Sequence, residues 1–164
     1  MEESPRFQIQ VTSDENALTI RELSSTMIGK IVCVPGIITA TSKSTIRARK
    51  AVFQCGKCGI NKIIDVPYGL SKLSPPGLCE NPTTRCGLGT YRFDSDQSEY
   101  VDQQTMKLQE APEQIPTGEM PRSLMLTVDR FWTDKCSPGN RIKVVGILTI
   151  MKMQRGNADS NANK

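Results

Sequence analysis

The sequence predicts a mainly β fold stapled by a metal ion and led by a short helix, and three observations carry that reading. Runs rich in β-branched residues recur between Gly/Pro breaks. Two cysteine pairs, Cys55-x2-Cys58 and Cys79-x6-Cys86, bracket the most broken part of the chain. One segment alone, ending at Gly29, reads as a helix.

Taken in order, residues 7–11 alternate apolar and polar with the period of a half-buried strand. Ser13 or Asp14 then caps a short helix carrying Leu18, Ile20, Leu23 and Met27, and Gly29 suits its end. Residues 31–41 are β-branched and apolar. Pro35-Gly36 in their middle predicts a strand bent there, because proline donates nothing to a ladder and glycine permits a bulge. A polar break at 42–45 leads to a second strand over 46–54, basic at its start and apolar at its end, predicted to pair hairpin-like with the first. Residues 55–86 hold Gly56, Gly59, Pro67, Gly69, Pro75, Pro76, Gly77 and Pro82, too broken for an ordinary core. Strand signals resume over 100–109. Pro112, Pro116, Gly118 and Pro121 make 111–121 a loop. Strands over 123–132 and 141–153 flank a Pro138-Gly139-Asn140 turn. Residues 154–164 carry no apolar face and are expected to be mobile.

With 164 residues the chain has the length of one domain and room for a small subdomain. Its 37% hydrophobic content is slightly lean, so a bound metal helps to hold it. No apolar run is long enough to span a bilayer, and residues 1–6 are polar, unlike a signal peptide. The chain is therefore expected to be intracellular, and six cysteines there read as thiols and metal ligands. Four zinc thiolates would lower the formal +4 by about two. The global charge therefore decides little, and the placement of basic residues decides more.

A Cys-x-x-Cys turn aims two thiolates at one tetrahedral ion, and a second pair across a loop closes the site. The predicted ligands are Cys55, Cys58, Cys79 and Cys86, with Gly59 and Gly87 after each pair letting the backbone turn sharply. Four thiolates leave no open position, so the Zn2+ is structural. The chain has no histidine. Cys33, in an apolar run, and Cys136, beside a turn, read as free thiols. A redox role for Cys55 and Cys58 lacks the βαβ context it needs.

The basic cluster Lys43, Arg47, Arg49 and Lys50 lies on or beside the second strand. Alternation puts Arg47 and Arg49 on one face and Lys50 on the other. Such residues serve either as a nucleic-acid groove or as a charged edge that discourages strand addition.

Val34-Pro35-Gly36-Ile37-Ile38, Cys55-x2-Cys58, Lys107-Leu108-Gln109-Glu110, then Pro112, Pro116, Gly118 and Pro121-Arg122, and finally Pro138-Gly139-Asn140-Arg141 through Gly146-Ile147 follow in one order. Together, over about residues 7–153, they resemble the N-terminal region of the minichromosome maintenance (MCM) replicative helicases. The 107–122 stretch and the wide Cys79–Cys86 gap are most similar to the fifth-subunit branch. The resemblance implies a five-stranded oligonucleotide-binding (OB) barrel over 30–54 and 88–153. It further implies a zinc ribbon inserted at 55–87, a remnant or linker of a helical subdomain at 1–29, and a disordered tail at 154–164. It implies a nuclear module that binds single-stranded DNA through Arg47, Arg49, Lys50, Lys107 and Arg122. Its partners would be other MCM subunits in a hetero-hexamer, with the second and third as neighbours. Gly29-Lys30 and Gly56-Lys57 lack the rest of a phosphate-binding loop, so the chain itself is expected to have no ATP site and no catalysis. The rival reading is a zinc-ribbon protein of transcription or translation that binds RNA or a partner protein.

Overall fold

Six strands carry the fold in the computed structural model, which describes residues 8–13, 17–66, 73–84 and 86–150. They are β1 (Ile31–Thr41), β2 (Thr45–Cys55), β3 (Asn61–Asp65), β4 (Tyr91–Gln109), β5 (Ser123–Asp129) and β6 (Arg141–Ile147), all in one sheet. The fold is mainly β, an OB fold built on β1, β2, β4, β5 and β6, with β3 inside the cysteine-bounded insertion.

β4 organises the molecule. β5 pairs with it from Gln103↔Asp129 to Gln109↔Ser123. β1 and β2 must then share its other edge: Ile37 to Thr41 face Gln109 to Met106, and Thr45 to Cys55 face Gln103 to Tyr91. The two strands are therefore consecutive and do not form the expected hairpin. The break at 42–44 keeps its direction because side chains bridge it. Ser42 N–H donates to Thr105 O (2.8 Å), and Ser42 Oγ accepts from Thr105 N–H (3.1 Å). β1, β2 and β4 thus make one long two-stranded ribbon whose far end carries the cysteine insertion.

Two cores follow from this layout. Ile20, Val34, Ile38, Met106 and Leu108 form the barrel core, with Leu124, Leu126, Val128, Ile142, Val144 and Cys136 packed around it. Ile38 and Leu108 are wholly buried, each worth about 1.5–3 kcal/mol of apolar burial. Ala51, Phe53, Cys55, Cys86 and Tyr91 form the second core, so the insertion packs on the end of β2 and the start of β4. Cys33 is buried in β1.

Several predicted elements differ in the structure. Residues 8–11 join no ladder, and Ile9 is 89% exposed; alternation alone supplies no pairing partner. Phe7 and residues 14–16 lie outside the described residues. Where the helix was expected, the described residues make two single 3-10 turns, Ile20–Glu22 and Ser25–Met27. The run Ser24-Ser25-Thr26 disfavours a longer helix, since short hydroxyls compete for local hydrogen bonds, as Ser24 Oγ and Thr26 Oγ1 do at 2.7 Å. Leu18 N–H also donates to Cys33 O (2.8 Å), drawing the segment onto β1.

The bulge of β1 falls at Thr39, between the Ile38 and Ala40 pairs, and not at Pro35-Gly36. Gly36 serves close packing instead. A Cβ there would sit 2.6 Å from Gln109 O and 2.8 Å from Leu108 Cγ. β4 begins at Tyr91, nine residues before the expected start, with residues 95–98 inserted between the Val52↔Asp94 and Lys50↔Glu99 pairs. β5 ends at Asp129 and β6 at Ile147. The 111–121 loop holds only a 3-10 turn, Pro112–Gln114, as expected. The tail after residue 150 lies outside the described residues.

Candidate functional site

The cysteine cluster forms at the far end of the ribbon. Cys55 closes β2 and pairs with Tyr91, the first residue of β4. The turn that follows is fixed by Gly59 N–H to Cys55 O and Cys55 N–H to Ile60 O, both 2.9 Å. Gly59 and Gly87 adopt φ of 72° and 78°, the left-handed region that glycine reaches without strain. Leu78 and Leu88 form an antiparallel bridge that closes the loop carrying Cys79 and Cys86.

All four sulfurs of Cys55, Cys58, Cys79 and Cys86 lie within 4.8 Å of one another, with Cys58 and Cys79 Sγ 3.4 Å apart. Sulfurs about 2.3 Å from a tetrahedral ion stand about 3.8 Å from each other, so the cluster fits one metal ion closed by four thiolates. Cys55 and Cys86 are buried, and Cys58 and Cys79 half-buried. The structure thus brings together the four predicted ligands and leaves Cys33 and Cys136 apart from them, as free thiols.

Two threonines touch the cluster that spacing alone did not single out. Cys55 Sγ lies 3.4 Å from Thr90 Oγ1, and Cys86 Sγ 3.3 Å from Thr84 Oγ1. The Thr90 hydroxyl, with the backbone amides of Cys58 and Lys57, lowers the Cys55 thiol to about 6. The Ile60 amide lowers Cys58. Thr84 favours the Cys86 thiolate, but burial and the three neighbouring thiols outweigh it and push Cys86 up to about 11. Threonines two residues before Cys86 and one before Tyr91 carry no distinctive pattern, which is why geometry alone finds them.

The basic residues divide between β2, which carries Arg47, Arg49 and Lys50, and the far end of β4, which carries Lys107. A bulge at Arg49 separates the Ala48↔Tyr100 and Lys50↔Glu99 pairs. Arg47 faces Val101 and Lys50 faces Glu99, both odd positions of β4, so Arg47 and Lys50 share a face and Arg49 is the extra residue. The expected alternation is corrected by that one bulge. Arg47 donates to Gln103 Oε1 (3.0 Å) and Val66 O (3.1 Å), which fixes its guanidinium over the sheet. Lys50 stands 3.9 Å from Glu99, an exposed pair of small worth. Lys107 is exposed on the same face as Arg47, six residues along β4, or about 20 Å.

Arg122 is exposed and its backbone braces the loop it ends. Its N–H donates to Glu110 Oε2 and its carbonyl accepts from Glu110 N–H, both at 3.0 Å. Glu110, 1% exposed, also meets Arg21: Nε lies 2.9 Å from Oε1, and Nη2 donates to Oε2 at 3.1 Å. Arg21 bonds Glu119 and Met120 O besides, so the first turn clamps both ends of the 111–121 loop. Nothing in the spacing of Arg21 and Glu110, 89 residues apart, announced this pair.

The match to the family model "MCM OB domain" runs over residues 19–152. "DNA replication licensing factor mcm-5" of Caenorhabditis elegans is 39% identical over 153 residues, covering 90% of this chain and 20% of that protein. Its counterpart in Dictyostelium discoideum is 38% identical over 150 residues, covering 89% and 20%. That of Arabidopsis thaliana is 36% identical over 161 residues, covering 96% and 22%. The chain spans about a fifth of the length of the curated relatives it matches.

Proposed function

This chain belongs to the minichromosome maintenance family, within the N-terminal region typified by its fifth subunit, and on that premise we propose that it is a single-stranded DNA-binding and subunit-assembly module of a nuclear replicative helicase. The observation that carries the proposal is the face of β4. Lys50 and Arg47 stand opposite Glu99 and Val101, one step apart on one face, and exposed Lys107 lies about 20 Å beyond Arg47, with Arg49 at the bulge between the first two and Arg122 just past the Gln109↔Ser123 pair. An extended strand laid along this face would meet a cation at each end without any base-specific donor set, as sequence-tolerant single-strand binding requires.

In this reading Cys55, Cys58, Cys79 and Cys86 hold a structural Zn2+. The ion ties the far end of the ribbon and supplies no chemistry to a substrate, because four thiolates complete its shell. The module's partners are other subunits of the same family, the second and third as neighbours. Within its 164 residues the chain has no phosphate-binding loop, so ATP hydrolysis is not assigned to it. The test is binding of labelled oligonucleotides to the zinc-loaded chain. We expect single-stranded DNA to bind more tightly than duplex of the same sequence. A clear preference for RNA would move the protein to transcription or translation, and no binding of any nucleic acid would end the proposal.

A further inference from the structure

The segment between β5 and β6 presents aromatic rings to solvent where a barrel would ordinarily hide them. Phe131 is 51% exposed and Trp132 44%, and their rings meet edge to face with centroids 5.2 Å apart. Lys135 Nζ lies 5.1 Å from the centre of the Phe131 ring. The backbone is bent on both sides of the pair by non-glycine residues in the left-handed region, Arg130 at φ 50° and Asp134 at φ 57°. An arginine there is unfavourable and persists only where its surroundings hold it, and such positions gather at functional sites.

What holds the segment is Gln104, a buried side chain on the core face of β4. Its Nε2 donates to Asp134 Oδ1 (3.0 Å) and to Ser42 O (2.8 Å), and its Oε1 accepts from Asp134 N–H (2.9 Å). One amide thus clips the aromatic segment to the break between β1 and β2, where Lys43 is exposed. The level is the same as that of the basic face. Thr45, Gln103 and Asp129 stand in one row across β2, β4 and β5, and Arg47 lies two residues past Thr45 on the side toward which β5 runs out into Phe131.

We propose that Phe131 and Trp132 are a stacking platform for unpaired bases of a single-stranded nucleic acid, with Lys43 and Lys135 taking its phosphates. The inference rests on the single-strand reading above and adds to it the surface that contacts bases. Every base has a π-face, so two rings held rigidly beside cations bind without sequence choice. A platform fixed by Gln104 also loses little freedom on binding.

Trp132 is the only tryptophan in the chain and reports directly on its own site. Oligo(dT) titrated into the zinc-loaded chain should quench and shift its fluorescence, while an abasic oligonucleotide of equal length and charge should bind more weakly and leave it nearly unchanged. Phe131→Ala and Trp132→Ala, read by anisotropy of labelled oligo(dT), should each weaken binding about 5- to 30-fold, with the salt slope unchanged because no charge is removed. Both rings are half exposed, so the melting temperature should stay close to that of the parent. If the double variant binds oligo(dT) as tightly as the parent while Arg47→Ala weakens it, the platform is wrong and the single-strand reading stands. If the parent binds no oligonucleotide, both fall. If the ring variants change self-association in sedimentation but not DNA affinity, the surface is a protein interface and the platform is likewise overturned.

Discussion

Cys55 and Cys86 occupy the same cluster yet differ widely in acidity, near 6 and near 11, because Thr90 and amides face the first while burial among thiols governs the second. Near neutral pH Cys55 is ionised and Cys86 is not, so metal binding must expel a proton from Cys86. Zinc affinity should therefore rise with pH, by about tenfold per unit for each proton expelled, in chelator competition between about pH 6.5 and 8. A flat profile would show Cys86 outside the ligand set. Cys55→Ser or Cys86→Ser should abolish stoichiometric zinc, and Cys136→Ser should leave it intact, since Cys136 packs on the barrel core instead. The Arg21–Glu110 pair sets a second residue-level expectation. Burial alone would raise the Glu110 carboxyl, but the Arg122 amide and the Arg21 guanidinium outweigh it and hold it below the usual 4.5. A carboxyl lowered in the folded state contributes stability that is present above its unfolded value and lost as pH falls through the folded one. Arg21→Gln should lower the melting temperature at pH 7, by on the order of 5–10 °C, because it strands a buried carboxylate. The deficit should shrink as pH falls, because Glu110 stranded without Arg21 takes up its proton at a higher pH than in the parent, where Arg21 and the Arg122 amide hold the carboxyl down.

The elements show why some parts of the fold were legible in the sequence and others were not. β1 was read at its full length because its β-branched run is uninterrupted by charge, and the 111–121 loop because its prolines leave no alternative. The first half of β4 was missed because Arg92, Asp94, Asp96 and Glu99 look like a loop; they lie on a ribbon with solvent at hand, where no core demands alternation. Pairing was the harder problem. The polar break at 42–44 has the composition of a turn, and only the hydrogen bonds of Ser42 and Gln104 reveal that it continues straight. The four-cysteine cluster was legible, since two cysteine pairs bracketing one broken segment constrain which residues meet more than any strand constrains its partner. Gly36 joins sequence to packing most directly. Gly36→Ala drives a methyl into Gln109 O and Leu108, and backbone has little room to yield. We expect a loss of about 1–3 kcal/mol, as for overpacking elsewhere. Denaturant melts of Gly36→Ala beside Leu108→Ala, expected to lose about 2–5 kcal/mol through the cavity left, would measure both sides of this contact. An unchanged midpoint in the glycine variant would mean that β1 and β4 do not cross so closely.

At the scale of the whole molecule, the ribbon separates two tasks along one axis: the four-cysteine cluster lies at one end, the barrel closes the other, and the basic face of β2 and β4 spans the middle. Single-strand binding on such a face should be governed by counterion release, with a log–log salt slope of about −0.7 per phosphate neutralised. Roughly 3 to 4 contacts from Arg47, Arg49, Lys107 and Arg122 give an expected slope on the order of −2 to −3. Replacing Arg47 and Arg49 together by alanine should flatten it by about one to one and a half. The two arginines should differ in what else they change. Arg47 bonds Gln103 and Val66 O, so its loss should also loosen the junction of β2, β3 and β4 and lower the melting temperature. Arg49 is exposed at a bulge and should affect binding alone. Lys30, exposed at the start of β1 and away from this face, is the control for any loss of positive charge. Titrations of the parent, Arg49→Ala and Lys30→Ala with the same oligonucleotide at several salt concentrations decide the matter. A slope flattened by Arg49→Ala and untouched by Lys30→Ala puts phosphates on the β4 face. Equal flattening by both would mean that DNA responds only to total charge and that no track runs along the ribbon.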